Sequence, residues 1–342
     1  MGSDFGKDEG VAIMKNKKSM LNNKKGLFYL FLSILFVVIM ILVFLAYKEY
    51  TYVDRQKVIE TRIQTINDFI KDIDADSKRV IYISGFRALI AVEDYVASSG
   101  RYLNDSEEIF RIAFYNGTVN GTDVEILENS SYYDYLERLR LIADRIGLDI
   151  DINVTDITLY HDSAWSVNVI VTTQVNITDK KGLAKWDFDK DYNTSVSLMN
   201  IRDPVYSVYT FGRVPNTIRI SNISKNDFVD ELNNNDTTQL QVHVNSSLYA
   251  ENTLAPSFLM RLKGNFSSSP YGIESFVFIP ELQVQEVSYS DSRSIIDYIL
   301  FSNITGYQTK ACYVDHMDNW FKIDINHTSD YEVDHLNYTT IC

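Results

Sequence analysis

The chain has 342 residues, of which 45% are hydrophobic and 13% aromatic, so it can build a packed core and is not a generally disordered protein. Its formal net charge is −14, and the acidic excess lies after position 46, where 43 Asp and Glu residues oppose 26 Lys and Arg residues. Such a surface repels polyanions, and we therefore exclude nucleic acid as a partner.

The first 26 residues form a polar, Lys-rich leader that we predict to be disordered. Leu27–Ala46 follows, with twenty consecutive uncharged and mostly apolar residues. At 1.5 Å per residue a helix of this length covers roughly 30 Å, the thickness of one bilayer hydrocarbon core. The sequence therefore predicts a transmembrane helix over residues 27–46, with the lipid bilayer as its partner.

Charged flanks set the expected orientation of this helix. The five lysines at positions 15, 17, 18, 24 and 25 precede it closely, while Lys48 and Glu49 follow it and offset each other. The positive-inside tendency then places the N-terminus in the cytoplasm and the C-terminal part outside the cell membrane. A cleavable secretory signal is the alternative, but its apolar core usually has 7–15 residues, and Phe44-Leu45-Ala46-Tyr47 is a poor cleavage site.

The helix is predicted to continue beyond the membrane. Ile59, Ile63, Ile66, Ile70 and Ile73 recur at steps of four and three, which is the spacing of an apolar helical stripe. We interpret residues 47–100 as a helical stalk that continues the span. Several short helices are the alternative.

Residues 101–342 are predicted to form an extracellular α+β domain. Tyr132–Ile146 has the period of an amphipathic helix, and three segments within residues 150–199 then alternate with a period of two, typical of antiparallel strands. Later segments are shorter: we predict helices at 226–232 and 257–263 and strands at 273–279 and 282–287. The fold class is a long N-terminal transmembrane-plus-stalk helix followed by a mostly antiparallel β-rich domain, with a division into 101–215 and 216–342 left open.

The acceptor motif for N-linked glycans, Asn-x-Ser/Thr, is strongly enriched after position 103. Composition alone would give roughly four such motifs in the whole chain, and a general richness in Asn, Ser and Thr does not explain the excess. None lies in residues 1–103, which agrees with the predicted topology. The acceptor asparagines are Asn104, Asn116, Asn120, Asn129, Asn153, Asn176, Asn193, Asn222, Asn235, Asn245, Asn265, Asn303, Asn326 and Asn337.

The densest acidic cluster is Asp187, Asp189 and Asp191, a weak candidate for a metal site. Their spacing resembles the start of a calcium loop, but Tyr192 and Leu198 stand where that loop needs Gly and Glu. In a strand, the three carboxylates would instead share the solvent face. An Asp-x-Asp motif of a membrane-anchored glycosyltransferase is a further interpretation, although the predicted order of elements differs from the alternating strands and helices of that fold.

His316, His327 and His335 lie near several aspartates in the last thirty residues, but nothing in their spacing brings them together, and we expect exposed side chains. No nucleophile elbow, phosphate loop or Cys-x-x-Cys pair is present in the sequence, so no catalytic or cofactor-binding residue is predicted, and no cofactor. Cys312 and Cys342 both lie in the predicted exterior, where oxidising conditions favour a disulfide between them.

The segment Lys24-Lys25-Gly26, directly before the apolar run that starts at Leu27, resembles the class III signal peptide of type IV pilins and archaeal flagellins. The resemblance implies that a prepilin-type membrane peptidase cuts after Gly26, and that the apolar helix then serves as an anchor or packs with like or related pilin-like subunits. Bacterial pilins carry Glu at the fifth position after the cut. Phe31 stands there in this chain, as archaeal members allow.

The leading hypothesis is a non-enzymatic, glycosylated, single-pass cell-surface protein of pilin-like build, with a structural, adhesive or surface-assembly role. The alternative is a membrane-anchored extracellular enzyme that processes glycans. A sensor or receptor ectodomain is less favoured, because the predicted cytoplasmic part is only the 26-residue leader.

Overall fold

The computed structural model describes residues 24–233, 235–302, 311–334, 336 and 338–339. It divides into two compact units, residues 1–70 and residues 71–342. The described helices are α1 Lys24–Ser99, α2 Ser106–Asn116, α3 Tyr132–Arg145, α4 Pro204–Tyr209, α5 Thr238–Asn245, α6 Phe258–Leu262, α7 Ile279–Val284 and α8 Asp297–Leu300. The described strands are β1 Thr118–Val119, β2 Thr122–Asp123, β3 Leu148–Ser163, β4 Ser166–Asp179, β5 Lys185–Ser197, β6 Tyr249–Glu251, β7 Ile273–Ser275, β8 Ala311–Val314, β9 Ile323–Asp324 and β10 Tyr338–Thr339.

Helix α1 is continuous over 76 residues, which confirms the predicted long helix in place of several short ones. Its stretch Gly26–Tyr50 is the one part of the described chain that is long and apolar enough to cross a membrane, with a mean hydropathy of 3.1 and no buried residues. Its large apolar side chains are exposed in the isolated chain, Phe36 by 63% and Phe44 by 66%. An apolar surface of this extent requires a non-aqueous environment or a protein partner.

In the second unit, β3, β4 and β5 form an antiparallel meander in the order β3-β4-β5. Val167, Val169 and Val171 on the central strand point to one face and are completely buried, while the residues between them point to the other face. The period of two in the sequence therefore predicts this sheet correctly.

The last part of α1 packs on the buried face of this sheet. A β-carbon on Gly85 would lie 3.1 Å from Val196 Cγ2 and 3.4 Å from Val169 Cγ2, so the glycine permits a close approach of helix and sheet. Asp74 accepts hydrogen bonds from Lys190 Nζ at 2.9 Å and from the Tyr192 hydroxyl at 3.0 Å. These polar contacts fix the register of the helix on β5.

Helix α3 covers the rest of that face and begins with a capping box. Ser131 accepts a hydrogen bond from the Asp134 backbone amide at 3.1 Å, and the Asp134 carboxylate accepts one from the Ser131 amide. Tyr135 on this helix meets Ser77 of α1 at 3.1 Å between their hydroxyl oxygens.

Residues from Val205 onward build a second hydrophobic cluster, in which short helices and two- to four-residue strands surround Phe276, Ile296 and Phe321. The cluster includes Val205 and Tyr206 as well as Leu336, so it draws on both sides of position 215. The remaining described sheets, β1-β2, β6-β7 and β10-β8-β9, are small and antiparallel.

Two predicted elements in this part are wrong. Residues 282–287 were predicted as a strand, but Ile279–Val284 is a helix with Pro280 in its first turn, a position where proline is favourable. The predicted helix at 226–232 is replaced by turns and a short 3₁₀ segment, Glu231–Asn233. In elements this short, tertiary packing rather than local propensity decides the conformation.

Candidate functional site

The acceptor asparagines lie at the surface of the protein. Twelve of the fourteen fall within the described residues, and Asn303 and Asn337 lie outside them. Of the twelve, Asn176 and Asn235 are half-buried and the other ten are exposed. Every described acceptor asparagine therefore has at least part of its side chain open to solvent.

Three asparagines without the acceptor motif are buried. Asn168, Asn216 and Asn252 are buried, with exposed fractions of 6–7%, and none has Ser or Thr two residues on. Asn216 Nδ2 donates to the Ser247 carbonyl at 3.1 Å and to the Tyr249 hydroxyl at 3.2 Å, so its side-chain amide stabilises the fold. Among the described residues after position 103, no buried asparagine carries the motif, while Asn200, Asn226, Asn233 and Asn319 are exposed without it.

Three acceptor sites lie on one uncovered face of the meander, which we call the outer sheet face. It carries Asn153 on β3, Asn176 on β4 and Asn193 on β5, together with acidic side chains at alternate positions of the two edge strands. Those acidic residues are Asp149, Asp151, Asp156, Asp187, Asp189 and Asp191. The face is polar and strongly acidic, in contrast to the valine-rich face that packs against the helices.

The three carboxylates considered for a metal do not converge. Asp187, Asp189 and Asp191 are exposed at alternate positions of edge strand β5, opposite Asn176, Gln174 and Thr172 of the central strand. The carboxylate of Asp187 is 3.8 Å from Lys185 Nζ. Within the described part of the chain, no group of three or more acidic, His or Cys side chains has a metal-binding arrangement.

A buried cluster of charges, which sequence reasoning missed, centres on Arg261 at the end of α6. Its guanidinium is completely buried and donates to Asp203 Oδ2 at 2.6 Å and to both carboxylate oxygens of Asp297 at 3.0 and 3.1 Å. It also donates to the carbonyl oxygen of Ile273 on β7. Burial raises the pKa of Asp297 to about 6, although the charge of Arg261 opposes this change.

A second cluster centres on His327, whose imidazole ring lies between the carboxylates of Asp324 and Glu274. Its Nδ1 is 2.8 Å from Asp324 Oδ2, and its Nε2 is 3.4 Å from Glu274 Oε2 and 3.0 Å from the Tyr298 hydroxyl. Burial alone lowers the pKa of His327, but the carboxylates of Glu274 and Asp324 outweigh it and raise the pKa to about 10. The imidazole is therefore positively charged at neutral pH.

The two clusters meet at adjacent residues of β7 and α8. Glu274, which faces His327, precedes Ser275, whose amide and hydroxyl donate to Asp297 at 3.1 and 2.9 Å. Asp297 in turn precedes Tyr298, the hydroxyl partner of His327. We call the whole set the buried charge network. It comprises Asp203, Arg261, Glu274, Asp297, Asp324 and His327.

In this network the His327 imidazole is paired with the carboxylates of Asp324 and Glu274 in the interior. A general base works best with a pKa near the operating pH, whereas His327 holds its proton up to about pH 10. The prediction that this histidine is exposed is wrong: it is completely buried, because Asp324 and Glu274 compensate its charge. His316 is exposed, and His335 lies outside the described residues.

A cavity of about 360 Å³ borders the network at Asn252 and Asp330. Asn252 Nδ2 donates to Glu274 Oε1 and to Asp330 Oδ2, both at 2.9 Å, and thereby connects the cavity lining to the network. A second cavity, of about 430 Å³, has Tyr289, Tyr313 and Trp320 in its wall. Neither cavity contains Asp187 or Asp189, and neither contains a histidine.

The remaining predicted site residues are placed as follows. Helix α1 begins at Lys24, two residues before Gly26, and Gly26 and Leu27 are exposed. Cys312 is completely buried on β8. Its predicted partner Cys342 lies outside the described residues, so the disulfide stays a prediction.

No known protein family, curated protein or solved structure matches this chain.

Proposed function

We propose that the chain is a glycosylated, single-pass cell-surface protein of pilin-like build, anchored through residues 27–46 with its C-terminal unit outside the cell. Its role is structural or adhesive, or lies in assembling surface structures with like or related subunits. The observation that carries this proposal is the placement of the asparagines: each described acceptor asparagine reaches solvent, while the buried Asn168, Asn216 and Asn252 lack the motif.

Two further features support the proposal. The apolar stretch Gly26–Tyr50 has its side chains exposed along its whole length, as a bilayer anchor or a filament core requires. The C-terminal part of the same helix packs on an antiparallel meander, and a long helix that runs into a β-rich head is the build that the Lys24-Lys25-Gly26 motif implies.

The contacts do not favour the alternative of a glycan-processing enzyme. Such a reaction needs two carboxyl groups that face one another across a substrate cleft. Asp187 and Asp189 lie on the open outer sheet face, and the buried Asp203, Asp297 and Asp324 are engaged with Arg261 and His327. A non-enzymatic role fits these placements better.

The proposal is tested on the native protein in intact cells. A membrane-impermeant lysine reagent added outside should label the C-terminal unit, and glycopeptide mass spectrometry should find glycan at Asn222 and Asn265, where both the asparagine and its Ser partner are exposed. Protection of the C-terminal unit from this external reagent would overturn the topology. Glycan-free peptides at all acceptor sites would overturn the glycoprotein assignment.

A further inference from the structure

The fourteen acceptor motifs are equivalent in sequence, but the described ones differ widely in the solvent exposure of their Ser or Thr residue. An acceptor site consists of the asparagine and of the Ser or Thr two residues on. Because the motif requires that hydroxyl residue, the transferring enzyme has to contact it as well as the asparagine. The exposure of Ser or Thr therefore decides whether a folded chain can still be a substrate.

Four described sites have an accessible asparagine but a buried hydroxyl residue, and we call them the closed sites. They are Asn104 with Ser106, Asn129 with Ser131, Asn235 with Thr237, and Asn326 with Thr328. The exposed fractions of these four hydroxyl residues are 1%, 2%, 3% and 5%, in that order. An enzyme that reads the whole motif cannot reach them in the folded state.

The hydroxyl groups at three closed sites are also engaged in hydrogen bonds. Ser131 donates to Asp134 Oδ2 at 2.7 Å as part of the capping box of α3. Thr237 Oγ1 donates to the His316 carbonyl at 2.9 Å, and Thr328 Oγ1 donates to the Ile325 carbonyl at 3.0 Å. Each bond would have to break before the motif could be read.

Local fluctuations of the folded chain should rarely expose the buried hydroxyl residues of the closed sites. Ser131 precedes Tyr132, which is 1% exposed, so freeing the motif pulls an aromatic side chain out of the core. Thr328 follows His327, so freeing it separates a charged imidazole from Asp324 and Glu274. Openings that expose core residues cost a large part of the global unfolding free energy.

Five other described sites have both the asparagine and the hydroxyl residue exposed, and we call the two of them that lie in irregular loops the open sites. Asn222 with Ser224 and Asn265 with Ser267 lie in irregular loops, and all four residues are exposed. Both parts of the motif stay exposed after folding at these sites, and the Ser267 hydroxyl donates within its own motif, to Asn265 Oδ1 at 2.7 Å.

We propose that Asn104, Asn129, Asn235 and Asn326 accept glycan only before the C-terminal unit folds, whereas Asn222 and Asn265 accept it before or after folding. Modification of the closed sites then has to accompany synthesis or translocation of the chain. This inference rests on the proposed glycosylation and adds its order relative to folding.

The test compares two preparations of the full chain in detergent or nanodiscs. In one, the chain is synthesised in the presence of an oligosaccharyltransferase and its lipid-linked glycan. In the other, the unmodified chain folds first, is checked by resistance to protease, and then receives the same enzyme and donor. Site occupancy is measured by glycopeptide mass spectrometry, with the open sites as internal controls in each molecule.

We expect the closed sites to be occupied in the first preparation and at least tenfold less in the second, while Asn222 and Asn265 are occupied in both. Equal occupancy of closed and open sites in the folded-first chain would overturn the inference. So would closed sites that stay unmodified even during synthesis. Absence of glycan from the native cellular protein would instead overturn the proposed function, so the two failures are distinguishable.

Discussion

The guanidinium of Arg261 lies 2.6 Å from the carboxylate of Asp203, and both side chains are completely shielded from solvent although 58 residues separate them in the chain. Asp203 also caps α4 through a hydrogen bond from the Val205 amide and accepts one from the Tyr249 hydroxyl, both at 2.8 Å. This ion pair and its hydrogen bonds therefore connect the N-terminus of α4, strand β6 and the C-terminal end of α6.

Replacing Arg261 by Met should destabilise the C-terminal unit severely. The substitution leaves Asp203 and Asp297 buried without their cation, and breaking one side of a buried pair costs about 3–5 kcal/mol. The measurement is the free energy of unfolding in denaturant. Lys263→Met is the matched control, because Lys263 pairs with Glu107 at the surface at 3.0 Å, where an ion pair contributes at most about 1 kcal/mol. Equal losses in the two variants would contradict the role assigned to the buried pair.

The stability contributed by His327 should decrease as the pH rises. Its pKa is about 10 in the folded protein and about 6.5 in the unfolded chain, so the folded state holds the proton more tightly. The contribution is fully present below about pH 6.5 and is lost progressively up to about pH 10. Asp297, with a pKa of about 6, is mostly ionised at pH 7, so most of its own titration lies below the range of the measurement.

The measurement for His327 is the difference in unfolding free energy between the unmodified protein and His327→Gln, followed from pH 7 to pH 9.5. This difference should become smaller towards pH 9.5. A difference that stays constant over the range would show that the imidazole is not held as a cation in the folded protein.

The sequence predicts the regular parts of this fold because their signals are local and repeated. Val167, Val169 and Val171 mark a half-buried strand by their period of two, and the isoleucines from Ile59 to Ile73 mark a helix by steps of three and four. The positions of the acceptor asparagines are likewise consistent with their motif, since each described one reaches solvent.

The buried charge network could not be predicted in the same way. Asp203, Arg261, Glu274 and Asp297 come from separate short elements, and only tertiary packing brings them together. A signal does exist in hindsight: Arg261 stands alone in Phe258-Leu259-Met260-Arg261-Leu262. A single charge within an apolar run requires a buried partner, but the sequence does not say which one.

Gly272 should tolerate no side chain. A β-carbon at this position would overlap the backbone carbonyl oxygens of Ala255 and Asn252, which cannot move aside as a flexible side chain can. We expect Gly272→Ala to lower the unfolding free energy by about 3 kcal/mol or more. In the control Gly182→Ala, an added β-carbon meets no atom within 4 Å and only the left-handed φ of +71° is strained, at roughly 1 kcal/mol. A loss at Gly272 no larger than that at Gly182 would contradict the packing described here.

We predict that the leader is removed by cleavage after Gly26. N-terminal sequencing of the native protein should find Leu27 as the first residue, and Gly26→Val should retain the leader because a branched side chain then occupies the cut site. The substitution itself is compatible with the helix, since an added β-carbon at Gly26 meets no atom within 4 Å. Gly10→Val, within the leader but away from the cut, should be processed normally. An intact leader in the native protein would remove the filament role and leave residues 27–46 as a permanent anchor.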